Sequence, residues 1–316
     1  MSIVASLKDV FHKGKERVGL NFYKKKQTYV FLYRVDLKNN SLEDKKFALV
    51  FPVVASTGFQ TVHGSPVFNA NNCVVKKDRL YGNDYGYCDF DLKAEEKSTF
   101  EYSFRIDVSP VVGKNYNGHE QDYVKLFCRK NSFLNSDFKP IIDKAYQLKG
   151  ASKDVMEIAK SFNDFVIDYL NYESPILGLY TGKFAFENRG VDCGGFDALF
   201  VTLCNCVGIP ARIVSGFWAG YKQSGMHAWA EFMLPDGRWV PVDPSIEQLR
   251  ARGKTAKSGA FGFVGSDRVV FSVGCEIPVN IHDKEIFTDI LQNPFLVGLE
   301  NANDVAINLE VTSKKI

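Results

Sequence analysis

The sequence lacks an excess of charge of either sign: 39 basic and 37 acidic residues leave a formal net charge of +2 over 316 residues. No global field of the kind that gathers nucleic acid is encoded in those totals. The basic runs Lys13 to Arg17 and Lys24-Lys25-Lys26 are short and read as solvated faces. A long apolar run is also missing, which excludes a membrane-spanning helix. The opening residues, Met1 to Gly19, space Ile3, Val4, Leu7, Val10 and Phe11 for a short amphipathic helix and show no apolar block of the signal-peptide kind.

Cysteine occurs seven times, yet no Cys-x-x-Cys pair is present. Cys204 and Cys206 stand at i and i+2, so on a helix their thiols point apart and cannot serve one metal ion. No Asp-rich calcium loop is visible. No metal and no cofactor are therefore expected. The odd number and the scatter of Cys73, Cys88, Cys128 and Cys275 fit a reducing compartment better than a disulfide framework, so a cytoplasmic location is the expectation.

What the chain does contain is one organising stretch, from Gly190 to Pro210. Phe196, Leu199, Phe200, Leu203, Cys204 and Val207 follow the i, i+3, i+4, i+7 spacing of an amphipathic helix. Gly208 suits the left-handed residue that ends it, and Pro210 prevents its resumption. Cys193 then falls in the first turn, where unpaired N–H groups and the positive end of the helix dipole favour a thiolate. Gly194 and Gly195 leave room beside the sulfur for a substrate carbonyl. Asp192 is placed to cap the helix, although a carboxylate there opposes the dipole by raising the thiol pKa. A buried structural cysteine is the competing reading.

Downstream, Ala211 to Phe217 is an extended run, and Met226 to Leu234 alternates before the turn Pro235-Asp236-Gly237. Arg238 to Asp243 returns. A three-residue loop pairs Leu234 with Arg238, which sets Asp243 opposite Trp229 and diagonal to His227 on one face. A slip of one residue would separate them. A thiol, an imidazole and an orienting carboxylate make up a nucleophilic triad.

The blocks Gly190-Val191-Asp192-Cys193, Gly208-Ile209-Pro210-Ala211-Arg212, Val214-Ser215-Gly216-Phe217, His227-Ala228-Trp229-Ala230-Glu231 and Gly237-Arg238-Trp239-Val240-Pro241-Val242-Asp243-Pro244 resemble the catalytic core of the transglutaminase-like superfamily, in that family's Cys…His…Asp order. The resemblance is strong over roughly residues 150 to 248. It implies Cys193 as nucleophile, His227 as general base and acid, and Asp243 as orienting carboxylate, in a papain-like domain of helices packed on an antiparallel sheet. It also draws attention to Tyr172, an aromatic near the cleft that could donate to an oxyanion beside the Cys193 N–H. Trp229, with Gly194, is a candidate to line the cleft and exclude water.

From Phe22 to Val112 the chain reads as a series of short strands, the pattern of a β-sandwich, with His63 as a turn residue. The expected organisation is α+β. It has an N-terminal extension (1–20), an antiparallel β-sandwich (21–112), a connection (113–140) and a catalytic domain (141–316). In that last unit, Ala151 to Tyr172 is a helix capped by Ser152. Arg268–Gly274 and Ala306–Val311 are strands completing the sheet around the hairpin, and Phe261–Gly265 is either a cleft wall or a plain turn. Arg212 and Glu231 form a candidate pair. The expected activity is acyl transfer through a Cys193 thioester on peptide or protein amides, with water as acceptor. Protein-glutamine γ-glutamyl transfer (cross-linking or deamidation) and a non-catalytic scaffold are the alternatives.

Overall fold

A computed structural model of the chain describes residues 22–112, 120–173, 175–221 and 225–316. The N-terminal amphipathic stretch, the run Lys13 to Arg17 and the first residues of the expected connection lie outside the described residues.

Six strands open the fold: β1 (Gln27–Asn39), β2 (Lys45–Pro52), β3 (Gln60–Phe68), β4 (Cys73–Lys77), β5 (Asp84–Leu92) and β6 (Lys97–Val108). β1 alternates buried and partly exposed residues along its length, as a strand with one face on a core must. Phe31, Tyr33, Phe51, Phe100 and Tyr102 fill the space between the two sheets. His63 is not in a turn. It sits on β3 with Nε2 3.0 Å from Asp107 Oδ2. The expectation of uniformly reduced cysteines is corrected at one place, because Cys73 and Cys88 face one another across β4 and β5 and form a disulfide. That bond removes the support that cysteine usage lent to a cytoplasmic setting.

Between the strands and the hairpin the chain is helical, and the first helix lies inside the expected connection. α1 (Glu120–Phe127) and α2 (Lys139–Lys149) precede α3 (Val155–Tyr169). α3 is capped by Asp154, whose Oδ1 accepts from the N–H groups of Met156 and Glu157, and not by Ser152. A short parallel pair, β7 (Asn171–Tyr172) and β8 (Gly190–Val191), brackets α4 (Gly182–Asn188). Helix α5 (Cys193–Cys206) follows directly and is buried along almost its whole length, as its apolar stripe demands.

α5 packs on an antiparallel sheet of β9 (Ala211–Trp218), β10 (Met226–Met233), β11 (Trp239–Val242) and, after α6 (Pro244–Ala251), β12 (Arg268–Val273), in the order β11-β10-β9-β12. The hairpin register is the expected one: Leu234 N–H donates to the Arg238 carbonyl, and Ala230 lies opposite Val242. β13 (Ile277–Ile281) and β14 (Lys284–Thr288) form a hairpin of their own. The last strands do not complete the catalytic sheet. β15 (Phe295–Val297) pairs with β2, and β16 (Val305–Lys315) pairs with β1, so the last strands return to the sandwich built by the first six. β12 does join the catalytic sheet, as expected.

The catalytic sheet is seated on the sandwich by aromatic contact. Phe217 and Phe271 meet Phe31 edge-on, with centroids 5.6 and 5.8 Å apart. Phe271 is freed for this by a bulge in β12. Gln60 fills the bulge, accepting from the Val270 N–H and donating to its carbonyl. Phe261, Phe263 and Val264 are buried, and Val264 bridges to Val111, so that segment is a packed turn and not a cleft wall.

The disulfide is directly testable. Denatured without reductant, the protein should titrate five thiols, the remaining free cysteines, and seven after reduction. Cys73→Ala should lower stability by about 3 kcal/mol, as expected for a loop of this size. Seven thiols before reduction would contradict the pairing.

Candidate active site

The site is assembled at the point where β10 loses its partner. β11 ends at Val242, and Asp243 turns the chain into α6, leaving the edge of β10 open at His227 and Ala228. The first turn of α5 fills that opening. The Ala228 N–H lies near the Cys193 sulfur, where it favours the thiolate. Cys193 is partly exposed at the helix tip, whereas the residues that follow it are buried. The loop before it is held by Asp192, whose Oδ1 accepts from the Gly195 N–H (3.3 Å) and Oδ2 from the Ile176 N–H (3.1 Å).

The two glycines after Cys193 serve packing and do not open space for substrate. A Cβ on Gly195 would stand 2.5 Å from Val191 Cβ, and one on Gly194 would stand 3.0 Å from Leu179 Cδ1. Gly194 is therefore buried and does not line the cleft. Trp229 is likewise only 1% exposed, packed with Val111, Val214 and Val264, and is removed from the cleft lining for the same reason.

His227 is buried, with Nε2 2.9 Å from Asp243 Oδ2. Its ring stacks on Trp218, centroids 4.5 Å apart at 25°, and its carbonyl accepts from Gln292 Nε2. Asp243 is wholly buried and has more duties than orienting the imidazole. Its Oδ1 accepts from the Ile246 N–H and the Ser245 hydroxyl (both 3.1 Å), which caps α6. Its Oδ2 also meets the Arg268 guanidinium.

Arg268 is the functional residue that the sequence reading did not single out. It is fully buried, its guanidinium carbon is 4.1 Å from the centroid of Trp218, and it donates to the Ser258 carbonyl. Gly259 closes over the pair in a left-handed conformation (φ 123°), where a Cβ would stand 2.5 Å from Arg268 Nη2 and 2.8 Å from Asp243 Oδ2. Local sequence signals could not find Arg268, because it comes from β12, 25 residues beyond the carboxylate that it serves.

Tyr172 reaches the site through the β7–β8 pair. Its hydroxyl lies near the Cys193 sulfur, its ring packs on Phe196 at 6.3 Å, and its N–H donates to Gln248 Oε1 of α6. Arg212 and Glu231, the candidate pair, form a buried ion pair (Nη2 to Oε2, 2.6 Å) with the guanidinium over Trp239. Both lie on the His227 face of the sheet, towards the far end of the strands. Among the described residues, no group of three or more His, Cys, Asp and Glu is arranged to hold a metal ion.

The electrostatics differ from the expected thiolate at rest. Burial pushes the Cys193 thiol well up, and the neighbouring carboxyls of Asp192 and Asp197 push it further, outweighing the Ala228 N–H. Asp197, one turn into α5, is fully buried with neither oxygen hydrogen-bonded among the described residues; burial, with the nearby Asp243 and Asp192, raises its carboxyl well above the ordinary range. Burial lowers the His227 pKa more than Asp243 raises it. On Asp243 burial opposes the charge, but His227, Arg268 and the Ile246 N–H together keep the carboxyl below its ordinary value. The resting site is thus a neutral thiol, a neutral imidazole and a buried carboxylate balanced by Arg268. A proton moves from sulfur to imidazole only when something stabilises the resulting charges.

Comparison with known proteins places this core. Residues 143–244 match the family model of the transglutaminase-like superfamily. A segment of 80 residues is 32% identical to the uncharacterized protein YebA of Bacillus subtilis strain 168, covering 21% of this chain and 11% of that protein. A segment of 74 residues is 30% identical to a protein-glutamine gamma-glutamyltransferase of Pseudomonas aeruginosa, covering 20% of this chain and 11% of that one. The matches therefore span about a ninth of either relative's length. The crystal structure of a candidate cysteine protease from Cytophaga hutchinsonii superposes with a TM-score of 0.64 over 92% of this chain and 91% of that one, at 13% identity, a likeness of fold.

Asp192→Asn keeps the helix cap and removes a carboxylate from beside the thiol. The pH midpoint for iodoacetamide alkylation of Cys193 should then fall by about one unit, equivalent to ~1.4 kcal/mol. Peptide mapping of labelled protein across pH reads this; an unmoved or raised midpoint would contradict the carboxylate effect.

Proposed function

We propose that residues 143–244, the transglutaminase-like superfamily core of this chain, form a thiol-dependent acyl-transfer site that opens peptide or protein amides through a thioester on Cys193. The observation that carries the reading is the convergence of three elements on one point. The α5 tip supplies a sulfur near the Ala228 N–H, β10 supplies His227 beside Ala228, and the turn from β11 into α6 supplies Asp243, 2.9 Å from His227 Nε2.

With Nε2–H directed at Asp243, Nδ1 is the nitrogen left to take the thiol proton. The sulfur attacks the amide carbon as that proton transfers, and the carbonyl π pair moves to oxygen. The Cys193 N–H, which has no partner within the first turn of a helix, and the Tyr172 hydroxyl supply donors to the oxyanion. Collapse of the tetrahedral species breaks the C–N bond. The imidazolium gives its proton to the departing amine, leaving the thioester. Water, deprotonated by His227, then attacks the thioester and releases a carboxylic acid and the thiol. Asp243, held ionised by Arg268, stabilises the imidazolium in both halves and is never protonated.

Transfer to an amine in place of water is the second reading. The alignment with the Pseudomonas gamma-glutamyltransferase favours it. The two share the first half-reaction and differ in the product, a carboxylic acid or a new amide.

Intact-mass analysis of the protein incubated with a peptide ester or glutamine-peptide library tests the proposal. An acyl adduct should map to Cys193 and be absent in Cys193→Ala. Asp243→Asn should retain the fold and accumulate adduct at a rate lower by roughly 10³- to 10⁴-fold, through the wrong imidazole tautomer. Product mass, with and without added primary amine, separates hydrolysis from transfer. A folded protein that forms no adduct with any donor would favour a scaffold.

A further inference from the structure

One charge beside the site has no counter-charge. Lys257 lies in the loop between α6 and β12, and its backbone is pinned: its N–H donates to Thr255 Oγ1 (3.2 Å) and its carbonyl accepts from Arg250 Nη1 (3.0 Å). The two residues that follow, Ser258 and Gly259, are packed on Arg268 and Asp243. The side chain is half-buried, with the ammonium 4.4 Å from the Trp218 ring centroid and 5.1 Å from that of Tyr221. Trp218 stacks on His227 at 4.5 Å, so the two separations laid end to end bring the ammonium within about 9 Å of the imidazole.

Among the described residues no carboxylate stands within ion-pair distance of this ammonium. The acids that face it are already engaged. Asp243 is held by Arg268, His227 and the α6 N-terminus. Asp267 accepts from Ser258 and Tyr221 and pairs with Arg268. Burial and the Arg268 charge press the Lys257 pKa down, against the opposing pull of Asp267, Asp243 and Cys193. Lysines that merely pack extend the ammonium into water; here two aromatic rings hold it beside the ring that stacks on His227.

We propose that Lys257 reads the substrate: it receives a carboxylate of the acyl donor, so that the preferred donor carries a negative charge close to the amide that Cys193 attacks. The inference rests on the acyl-transfer reading of Cys193 and names the substrate class for it. The carboxylate belongs either to an Asp or Glu side chain flanking the amide or to the C-terminus of a short peptide; the recognising chemistry is one and the same.

The test uses two alkylating reagents of nearly equal size, anionic iodoacetate and neutral iodoacetamide, with the rate at Cys193 followed by mass spectrometry. Their rate ratio at Cys193 should exceed that of a free thiol. It should fall about fivefold or more in Lys257→Gln and Lys257→Met, and further in Lys257→Glu. A variant that only disturbs the loop would slow both reagents alike; an unchanged ratio overturns the proposal. A second arm compares three matched peptides as protectants of Cys193 against iodoacetamide: one with an internal Glu, one with a free C-terminus and one neutral and amidated. One of the carboxylate peptides should protect at lower concentration than the neutral one, and Lys257→Gln should abolish that advantage. Which peptide it is identifies the source of the carboxylate, and equal protection by all three overturns the proposal. A Lys257-dependent ratio in a protein that forms no acyl adduct would instead sink the acyl-transfer reading and leave the anion site standing.

Discussion

The buried carboxylate of Asp243 is the constraint on which the rest of the site depends. A charge in that position is tolerable only if fully compensated, since an isolated buried carboxylate would take up a proton instead. Compensation comes from three directions: Arg268 from β12, the N-terminus of α6, and His227 from β10. Each of these fixes an element. Ending β11 at Asp243 opens the edge of β10 to the tip of α5. Starting α6 there places Gln248, which holds the end of α3 through the carbonyls of Ile167 and Leu170 and holds Tyr172 through its N–H. The carboxylate that orients the imidazole therefore also sets the position of the phenol on the far side of the sulfur.

The second feature is restraint of the nucleophile. The helix tip alone would favour a thiolate, but the immediate surroundings supply carboxyls, Asp192 as the cap and Asp197 one turn below, and little water. Magnitude decides the contest. A helix terminus contributes about 0.3–1 kcal/mol, whereas burial of a charge costs several. The thiol therefore stays protonated at rest; on the proposed acyl-transfer reading, a substrate carbonyl and its oxyanion donors make charge separation favourable. Lys257, held over Trp218 and Tyr221, is a nearby cation with no carboxylate in ion-pair distance among the described residues.

The parts of this arrangement legible in the sequence are those set by short-range rules. The α5 stripe, its glycine terminus and the Asp192 cap follow from local spacing. The hairpin register follows from a three-residue loop, which is why Asp243 could be placed beside His227 on paper. The parts that were not legible are those made by distant segments. Arg268 and Lys257 reach the site from beyond α6. Trp218 was not singled out, although it stacks on the imidazole more closely than Trp229 does (centroids 4.5 against 6.2 Å), because which residues pack on a strand face depends on distant segments. The last strands pair with β1 and β2 across nearly the whole chain, and the Cys73–Cys88 disulfide depends on a β4–β5 register that no turn signal announces. Helix α1 falls in the stretch read as a connection because polar residues mask its apolar face, and Asp154 out-competed Ser152 as a cap by lying one residue before the first turn of α3.

The central claim is a tautomer: Asp243 holds the proton of a neutral His227 on Nε2 and so leaves Nδ1 free for the sulfur's proton. Nitrogen-15 chemical shifts of His227 in histidine-labelled protein at neutral pH, assigned with a His227→Gln variant, report it directly. The account predicts a protonated Nε2 and an unprotonated Nδ1 in the resting protein; a proton on Nδ1 alone, or a fully charged imidazolium before substrate arrives, would contradict it.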